Sequence, residues 1–444
     1  MKPKVDLLND PAKPLFFKYL LPSISATLVT SIYVLADTIM IGKGIGEDAV
    51  AGLNIILPLL SLFFGTGLLF GVGGSVLMSF SLGKGEKVKA NSYFTTAVLL
   101  NVVFMVFYLI ICSLFFDEIA YFLGSNEATI GYVRGYGHIL VGGIPVFMFS
   151  TFLQAFVRND HAPKLSMIGV ITGGVVNVIF DYIFIFKLDY GMAGAAAATV
   201  MGAIITCIIL LSHFITKTST LKIVRHKYHL DFSKQIFKNG FSSFVVEISN
   251  GILMILFNLQ LIKYIGNIGV TVYSIISNTG IIVMSLGNGI SQAAQPIIAM
   301  NHGAGKTKRI KEVRNYAFIT AFLIGLFFTL FGVIFPEVVI NIFVHPTDRI
   351  MAFAPTAIRL YFISFIGLMI NIFFSNYFQS ILQPGKALIV CLLRGLIISG
   401  LFVFILPPIF GTNGIWITMP IVEIITFIVA LLLNKRFSKQ TIVS

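Results

Sequence analysis

Twelve runs of roughly twenty or more mostly apolar residues follow one another along this 444-residue chain, near 15–41, 52–80, 92–116, 135–157, 165–187, 192–216, 240–264, 270–300, 315–335, 352–382, 387–409 and 413–434. A hydrocarbon core about 30 Å thick is crossed by about 20 helical residues. No water reaches its interior, so each run must close its own backbone hydrogen bonds as a helix. The composition agrees: 57% of residues are hydrophobic and only 11% charged, against about a quarter charged in soluble domains. The runs therefore predict an all-α membrane protein with twelve transmembrane helices. No stretch between runs exceeds about 25 residues, too little for a soluble catalytic or nucleotide-binding domain. The first run follows Lys2, Lys4 and Lys13 but is too long for a signal peptide. It contains Pro22 and Asp37 and has no evident cleavage site, so it is read as a span.

The net charge of +13 invites a nucleic-acid reading until its distribution is followed. With the N-terminus inside, the cytoplasmic segments hold 24 Lys and Arg and the external loops 5, with Arg359 and Arg394 inside spans. That is the positive-inside pattern of a multispan protein with both termini cytoplasmic. The basic excess is thus an orientation signal, and no nucleic-acid partner is expected. Cys112, Cys207 and Cys391 lie far apart in apolar runs, which supports neither a disulfide framework nor a zinc site. "GAGKT" at Gly303 to Thr307 resembles the end of a phosphate-binding loop. Met300 stands where the first glycine belongs, however, and the segment follows a span instead of a strand. A polar turn opening a cytoplasmic amphipathic helix is expected there. No His-Glu-x-x-His or Gly-x-Ser-x-Gly string occurs, so no enzyme activity is expected.

An internal repeat organises the twelve runs. At one constant offset Gly46 matches Gly266, Gly83 and Gly85 match Gly303 and Gly305, Gly191 matches Gly411, and Gly194 matches Gly414. A local five-residue drift pairs Gln154 with Gln379. Random apolar runs would not keep glycine pairs at one spacing, so two homologous halves of six spans follow. An even number of spans gives both halves the same orientation, a parallel repeat about an axis along the membrane normal. The expected division is a first lobe over 1–220, a polar and basic interlobe segment over 221–239, and a second lobe over 240–444.

Polar groups inside spans are costly and tend to face a cavity or another helix. Of the 18 acids, Asp37, Asp181, Glu247 and Glu423 fall well inside apolar runs. Asp37 and Asp181 lie near the outer ends of the first and fifth spans. Asn177 is one turn deeper than Asp181 on the same face. Thr199 enters the sixth span to a similar depth. Four oxygen-bearing groups can therefore converge in the outer half of the first lobe, and their repeat partners Phe257, Ile397, Leu401 and Met419 are apolar. Such a set suits a proton, or a sodium ion held by oxygen ligands. Glu247, in the inner half of the seventh span, is a second protonation site, an attraction for a cationic substrate, or one half of a structural ion pair. Glu423 has Arg359 and Arg394 as candidate structural partners, and His138 is expected to be a hydrogen-bonded core residue.

The segments "LADTIMIGKGIGEDAVAGLN" from Leu35, "SLGKGEKVKA" from Ser81, "FLQAFVRNDHAPKLSM" from Phe152, "GVVNVIFDYIFI" from Gly174 and "GMAGAAAATV" from Gly191 resemble the multidrug and toxic compound extrusion (MATE) transporters from end to end. The resemblance implies two six-helix lobes forming a V and export of amphipathic organic cations in exchange for protons or sodium ions. No other cofactor is implied. By the same resemblance Asp37, Asn177, Asp181 and Thr199 form the first-lobe cation site, which would be the metal site if sodium is the coupling ion. Glu247, with Tyr33, belongs to the substrate cavity or to a second protonation site. Some members carry an additional acid in the tenth helix, whereas Met351 to Leu382 has none, so the chain looks closer to the branch that couples through its N-terminal lobe. The expected protein is a monomeric drug/cation antiporter of the plasma (inner) membrane whose partners are small organic cations and membrane lipid. A lipid or oligosaccharide-lipid flippase of similar architecture is the alternative, and an intramembrane enzyme a more distant one.

Overall fold

The computed structural model describes residues 5–215, 219–224, 230–344 and 347–443. Among them, twelve helices are long and apolar enough to cross a membrane. They are α1 (Ala12–Gly44), α2 (Glu47–Gly83), α3 (Lys87–Leu114), α4 (Ile130–Asn159), α5 (Pro163–Lys187), α6 (Gly191–Ile215), α7 (Leu230–Tyr264), α8 (Asn267–Gly303), α9 (Thr307–Ile334), α10 (Asp348–Ser380), α11 (Pro384–Phe410) and α12 (Thr412–Lys435). α2 and α8 have 37 residues each, about 55 Å of helix, so their ends project beyond the hydrocarbon. Twelve crossings put the start of α1 and the end of α12 on one face, the termini-bearing face. The opposite loops hold two short helices missed in the sequence, Phe116–Phe122 and Pro336–Phe343, whose first residues are partners at the repeat offset.

The spacing of the glycines has a conformational cause. Gly46 and Gly266, Gly85 and Gly305, and Gly191 and Gly411 all turn the chain between helices with φ between 54° and 129°, a region that side chains with a Cβ disfavour. The "GAGKT" string is one of these turns. It opens α9 directly, and its Lys306 donates to the Leu8 carbonyl and the Asn9 side chain at 3.0 and 2.9 Å.

A second set of glycines brings the lobes together near the termini-bearing face. A methyl group on Gly83 would collide with the Met300 carbonyl oxygen, and one on its repeat partner Gly303 with that of Phe80. Each glycine thus packs against the other's helix about the pseudo-twofold axis. Beside them, a methyl on Gly240 of α7 would run into the Leu69 oxygen, and one on Gly73 of α2 into that of Ile236. Lipid supplies no hydrophobic drive between helices, so such backbone approaches, with their close dispersion contact, carry the association. Arg158 of α4 adds a bond across the lobes, donating to Gln292 Oε1 at 2.8 Å.

Of the expected interlobe segment, residues 221–224 form neither helix nor strand, and the chain is already helical at Leu230. Lys2, Lys4 and Lys227 lie outside the described residues. The stretch 219–224 is fastened to the first lobe. Asp160, fully buried after α4, accepts from His213 Nε2 at 2.8 Å, Ser219 Oγ at 3.2 Å, the Thr220 amide at 2.8 Å and the Thr220 hydroxyl. The amides of Lys222 and Val224 then donate to Asn91 Oδ1 and Thr95 Oγ1. The expectation for His138 is corrected: it is exposed and lies against the ring of Phe116 at 4.8 Å. The inward face of α4 here is that of Tyr136 and Leu140, and a residue two steps from each points away from it.

Gly240→Ala should lower the thermal stability of the detergent-solubilised protein by about 1–3 kcal/mol, the usual cost of overpacking. Gly251→Ala, on the same helix with nothing within 4 Å of the added methyl, should be neutral or gain about 0.5–1 kcal/mol from helix propensity. Equal melting shifts for the two would refute the packing role of Gly240.

Candidate cation site

α5 and α6 cross at glycines. A methyl on Gly202 would stand 2.6 Å from the Gly173 carbonyl oxygen and 3.0 Å from Asn177 Cβ, and one on Gly173 2.5 Å from the Gly202 oxygen. The Thr206 hydroxyl bridges the crossing, donating to Gly202 and Gly169 carbonyls at 3.0 and 3.1 Å. That approach carries Asn177 of α5 to Thr199 of α6, with Asn177 Nδ2 donating to Thr199 Oγ1 at 3.3 Å. One turn farther along α5 stands Asp181, fully buried. Beyond it the helix widens into a π-helical stretch, Tyr182–Lys187, a feature frequent at functional sites.

Helix α1 brings the second carboxylate. Gly174 leaves room for Tyr33, whose ring would lie 2.8 Å from an added methyl there. One turn on, Asp37 is 8% exposed and its carboxyl lies within hydrogen-bonding reach of that of Asp181. The structure thus gathers Asp37, Asn177, Asp181 and Thr199, with Tyr33 at their edge. It adds Tyr136 of α4, buried to 2%, its hydroxyl within reach of Thr199. The sequence reading missed Tyr136 because a tyrosine in an apolar run looks like packing. The available signal was its repeat partner Tyr361, displaced by the same drift that pairs Gln154 with Gln379.

The electrostatics of this cluster are incomplete. Asp37 Oδ1, both carboxylate oxygens of Asp181 and Asn177 Oδ1 are buried without a hydrogen-bond partner. Among the described residues, no ion pair reaches either carboxylate. A buried charge costs several kcal/mol unless it is paired. Two facing acceptors become compatible only with a proton between them or a cation beside them. The donor set is all oxygen, two carboxylates with an amide and a hydroxyl, which fits a proton or a hard cation such as sodium.

The equivalent region of the second lobe is closed. Phe257, in the place of Asp37, stacks on Tyr273 with centroids 5.2 Å apart, and Tyr361 meets it edge-on. The buried acid there, Glu423, already has partners: Arg394 Nε donates to it at 2.7 Å and Asn371 Nδ2 at 2.7 Å. Of its two candidate arginines, Arg394 is therefore the partner, while Arg359 donates to the Val333 carbonyl. Glu247 stands apart from the Asp37–Asp181 cluster. It is half-buried between the lobes, with its Cβ 3.4 Å from where a methyl on Gly65 of α2 would be.

Residues 22–183 and 242–405, one stretch in each lobe, match the model of the MatE family. The chain belongs to this family, whose matched members are transporters and not enzymes. Among curated proteins it is similar to the "Multidrug export protein MepA" of Staphylococcus saprophyticus, 26% identical over 420 residues that cover 93% of this chain and 91% of that protein. The Staphylococcus aureus protein of the same name is also 26% identical, over 96% of this chain and 94% of its own. Among solved structures, an outward-facing multidrug resistance MATE family transporter of the MOP superfamily superposes with a TM-score of 0.92 at 22% identity, covering 99% of both chains. A MOP superfamily transporter from Pyrococcus furiosus reaches 0.90 at 22% identity over 98% of both. The chain is thus an integral membrane transporter.

Arg394→Met leaves Glu423 buried without its ion partner and should cost about 3–5 kcal/mol of stability. Adding Glu423→Gln should recover most of that loss, read as a double-mutant cycle by thermal melting. Simple additivity of the two changes would show that the pair is not coupled.

Proposed function

We propose that this chain is a secondary antiporter that exports amphipathic, often cationic drugs and toxic organic compounds in exchange for a proton or sodium ion bound at the Asp37–Asp181 pair. The observation that carries the reading is the set of four buried oxygens without a donor in the first lobe, opposite a second lobe whose acid is already neutralised by Arg394. The curated relatives are multidrug exporters over nearly their whole length, which supports drug as the cargo.

With the cation bound, the carboxylates on α1 and α5 can lie together. Without it, they repel across a medium of low dielectric, and α1 is driven to a different packing against α5. The cation can shift the balance between two lobe arrangements only as far as its affinity differs between them. The half-buried carboxylate of Glu247 between the lobes, with Tyr33 on the first-lobe wall, gives a cationic substrate its counter-charge. Export needs no other cofactor. The 24 to 5 distribution of basic residues supports cytoplasmic termini and residence in the plasma membrane, where the chain works among lipids as a monomer. A flippase would need free cationic side chains for phosphates inside its lobes. Both intramembrane arginines, Arg359 and Arg394, already have acceptors, which counts against that reading.

Asp181→Asn keeps size and a hydrogen-bonding oxygen but cannot hold a proton or charge-balance a sodium ion. It should reach the membrane at normal abundance yet lose gradient-driven export in proteoliposomes, with sodium and pH gradients imposed separately. Asp37→Asn should match it, and the double variant should be little worse, because the two serve one site. Wild-type export by Asp181→Asn at equal expression would move the coupling site elsewhere, to Glu247 first.

Single cysteines at Lys87 or Lys308 in a cysteine-free background should be labelled only from the cytoplasm, and those at Gly46 or Asp348 only from outside. Reversed labelling would invert the direction of transport.

A further inference from the structure

Helices α3 and α7 both pack on α2 and leave a furrow in front of it. A methyl on Gly74 of α2 would stand 2.7 Å from Ala97 Cβ of α3, and one on Gly240 of α7 would run into the Leu69 carbonyl oxygen of α2. Near the termini-bearing face α3 and α7 are pinned to each other: Tyr93 donates to Gln235 at 2.5 Å, and its ring meets that of Phe232 with centroids 4.8 Å apart. Beside this pin lies a groove of about 270 Å³. Phe70 of α2, buried, forms its floor, and its ring meets that of Phe104 of α3 at 5.1 Å. Leu100 of α3 and Phe237 of α7 line its two sides, and Phe237 is left exposed.

The groove is cationic at one end. Lys234 and Lys238 both line it, one turn apart on the same face of α7. Both are exposed, and among the described residues neither forms an ion pair. Of the acids close by, Glu86 is taken by Lys89 at 3.3 Å, and Asp231 makes no ion pair with either lysine. The apolar run of α7 begins near residue 240, so Lys238 stands at the hydrocarbon boundary and Lys234 in the headgroup layer. Leu100 and Phe104 lie inside the apolar run of α3, which begins near residue 92. One lysine at this depth is explained by orientation alone: Phe237 and Lys238 have Phe17 and Lys18 as partners at the repeat offset, also exposed. The second lysine is not. Lys234 has Pro14 as its partner, and Lys13 precedes Lys18 by five residues, which turns it about 140° away around the helix.

We propose that this groove is a binding site for one anionic phospholipid of the leaflet at the termini-bearing face, with the phosphate between Lys234 and Lys238 and an acyl chain along Phe237, Leu100 and Phe104 over Phe70. A basic mouth between transmembrane helices suits an anionic headgroup, and the lysine stems can lie along apolar surface while their ammonium groups stay among the headgroups. The shape suits a chain and not a drug. Pockets that enclose a drug-sized ligand run to about 300–1,000 Å³, whereas this groove is smaller. Next to it α3 presents the exposed apolar residues Leu99, Val103, Val106 and Ile110, so a chain enters sideways from the bilayer. The bound lipid joins α3 of the first lobe to the helix that opens the second. The site is independent of cargo and coupling ion, and only the naming of its leaflet as cytoplasmic rests on the orientation proposed above.

The test moves the single tryptophan of the full chain onto the groove by Trp416→Phe with Phe104→Trp. Its fluorescence is then quenched in mixed micelles by phosphatidylglycerol or phosphatidylcholine carrying dibrominated acyl chains. Half-maximal quenching should need an at least about fivefold lower mole fraction of the phosphatidylglycerol, the scale set by two lysines at an anionic headgroup. Lys234→Gln with Lys238→Gln should erase that preference, and arginine at both positions should keep it. Lys13→Gln with Lys18→Gln removes the same charge at the same face and should leave the preference within about twofold. All these lysines are exposed, so the melting temperature in lipid-free detergent should not change. Equal quenching by the two lipids in the parent protein would mean that any chain fills the groove, and the proposal is overturned. It is overturned as well if the preference survives the Lys234–Lys238 glutamines, if the arginine pair loses it, or if the Lys13–Lys18 glutamines remove it equally, because the charge of the whole face is then what selects.

Discussion

Hydrocarbon offers a carboxylate nothing, so the disposition of each buried acid decides what the surrounding helices can do. Glu423 is neutralised by Arg394 and Asn371, and the helices around it can pack as a fixed unit. Asp160, at the end of α4, accepts from His213 of α6 and from Thr220 just ahead of the interlobe segment, and so ties the end of the first lobe's chain back to α4. Asp37 and Asp181 face each other, and among the described residues no basic side chain pairs with either. Their helices are therefore stable side by side on condition that something positive joins them, which is the physical basis of the proposed cation site.

What lets so few polar groups meet is the removal of side chains around them. Gly173 and Gly202 bring α5 and α6 to backbone distance, and the amide of Asn177 reaches Thr199 as a result. Gly174 does the same for the ring of Tyr33. The same device, at Gly83, Gly303, Gly240 and Gly73, brings the two lobes together near the termini-bearing face. In a membrane, close backbone approach replaces the hydrophobic drive that holds soluble helices together. Contacts made of shape without directional bonds can also be broken and remade at low cost.

The repeat makes the asymmetry informative. Two halves with the same turn glycines and the same short outer helices differ where chemistry is concentrated. Tyr136 and Tyr361 persist in both halves, but Asp37 is replaced by Phe257, which stacks on Tyr273. One lobe holds a buried polar cluster without partners. The other has packed rings in its place and an ion pair on its buried acid.

The sequence by itself determined the twelve spans, the pairing of the halves and the separation of basic from neutral loops, because hydropathy and charge act on each segment locally, through the solvent it meets. It also marked Asp37, Asn177, Asp181 and Thr199, because a polar group in an apolar run stands out, and its distance from the end of the run gives its depth. Helical periodicity gives depth and face but not the neighbour. Only the tertiary structure decided that Arg394 and not Arg359 meets Glu423, that Tyr136 joins the first-lobe cluster, and that His138 faces outward. The burial of Asp160 was hidden because it follows a helix in the polar string "RNDH", where solvent exposure is the ordinary outcome. The burial of Phe16 of α1 in the core of the second lobe was equally hidden. Hydropathy records that a residue leaves water, and Phe16 in the second lobe satisfies that as fully as it would in the first.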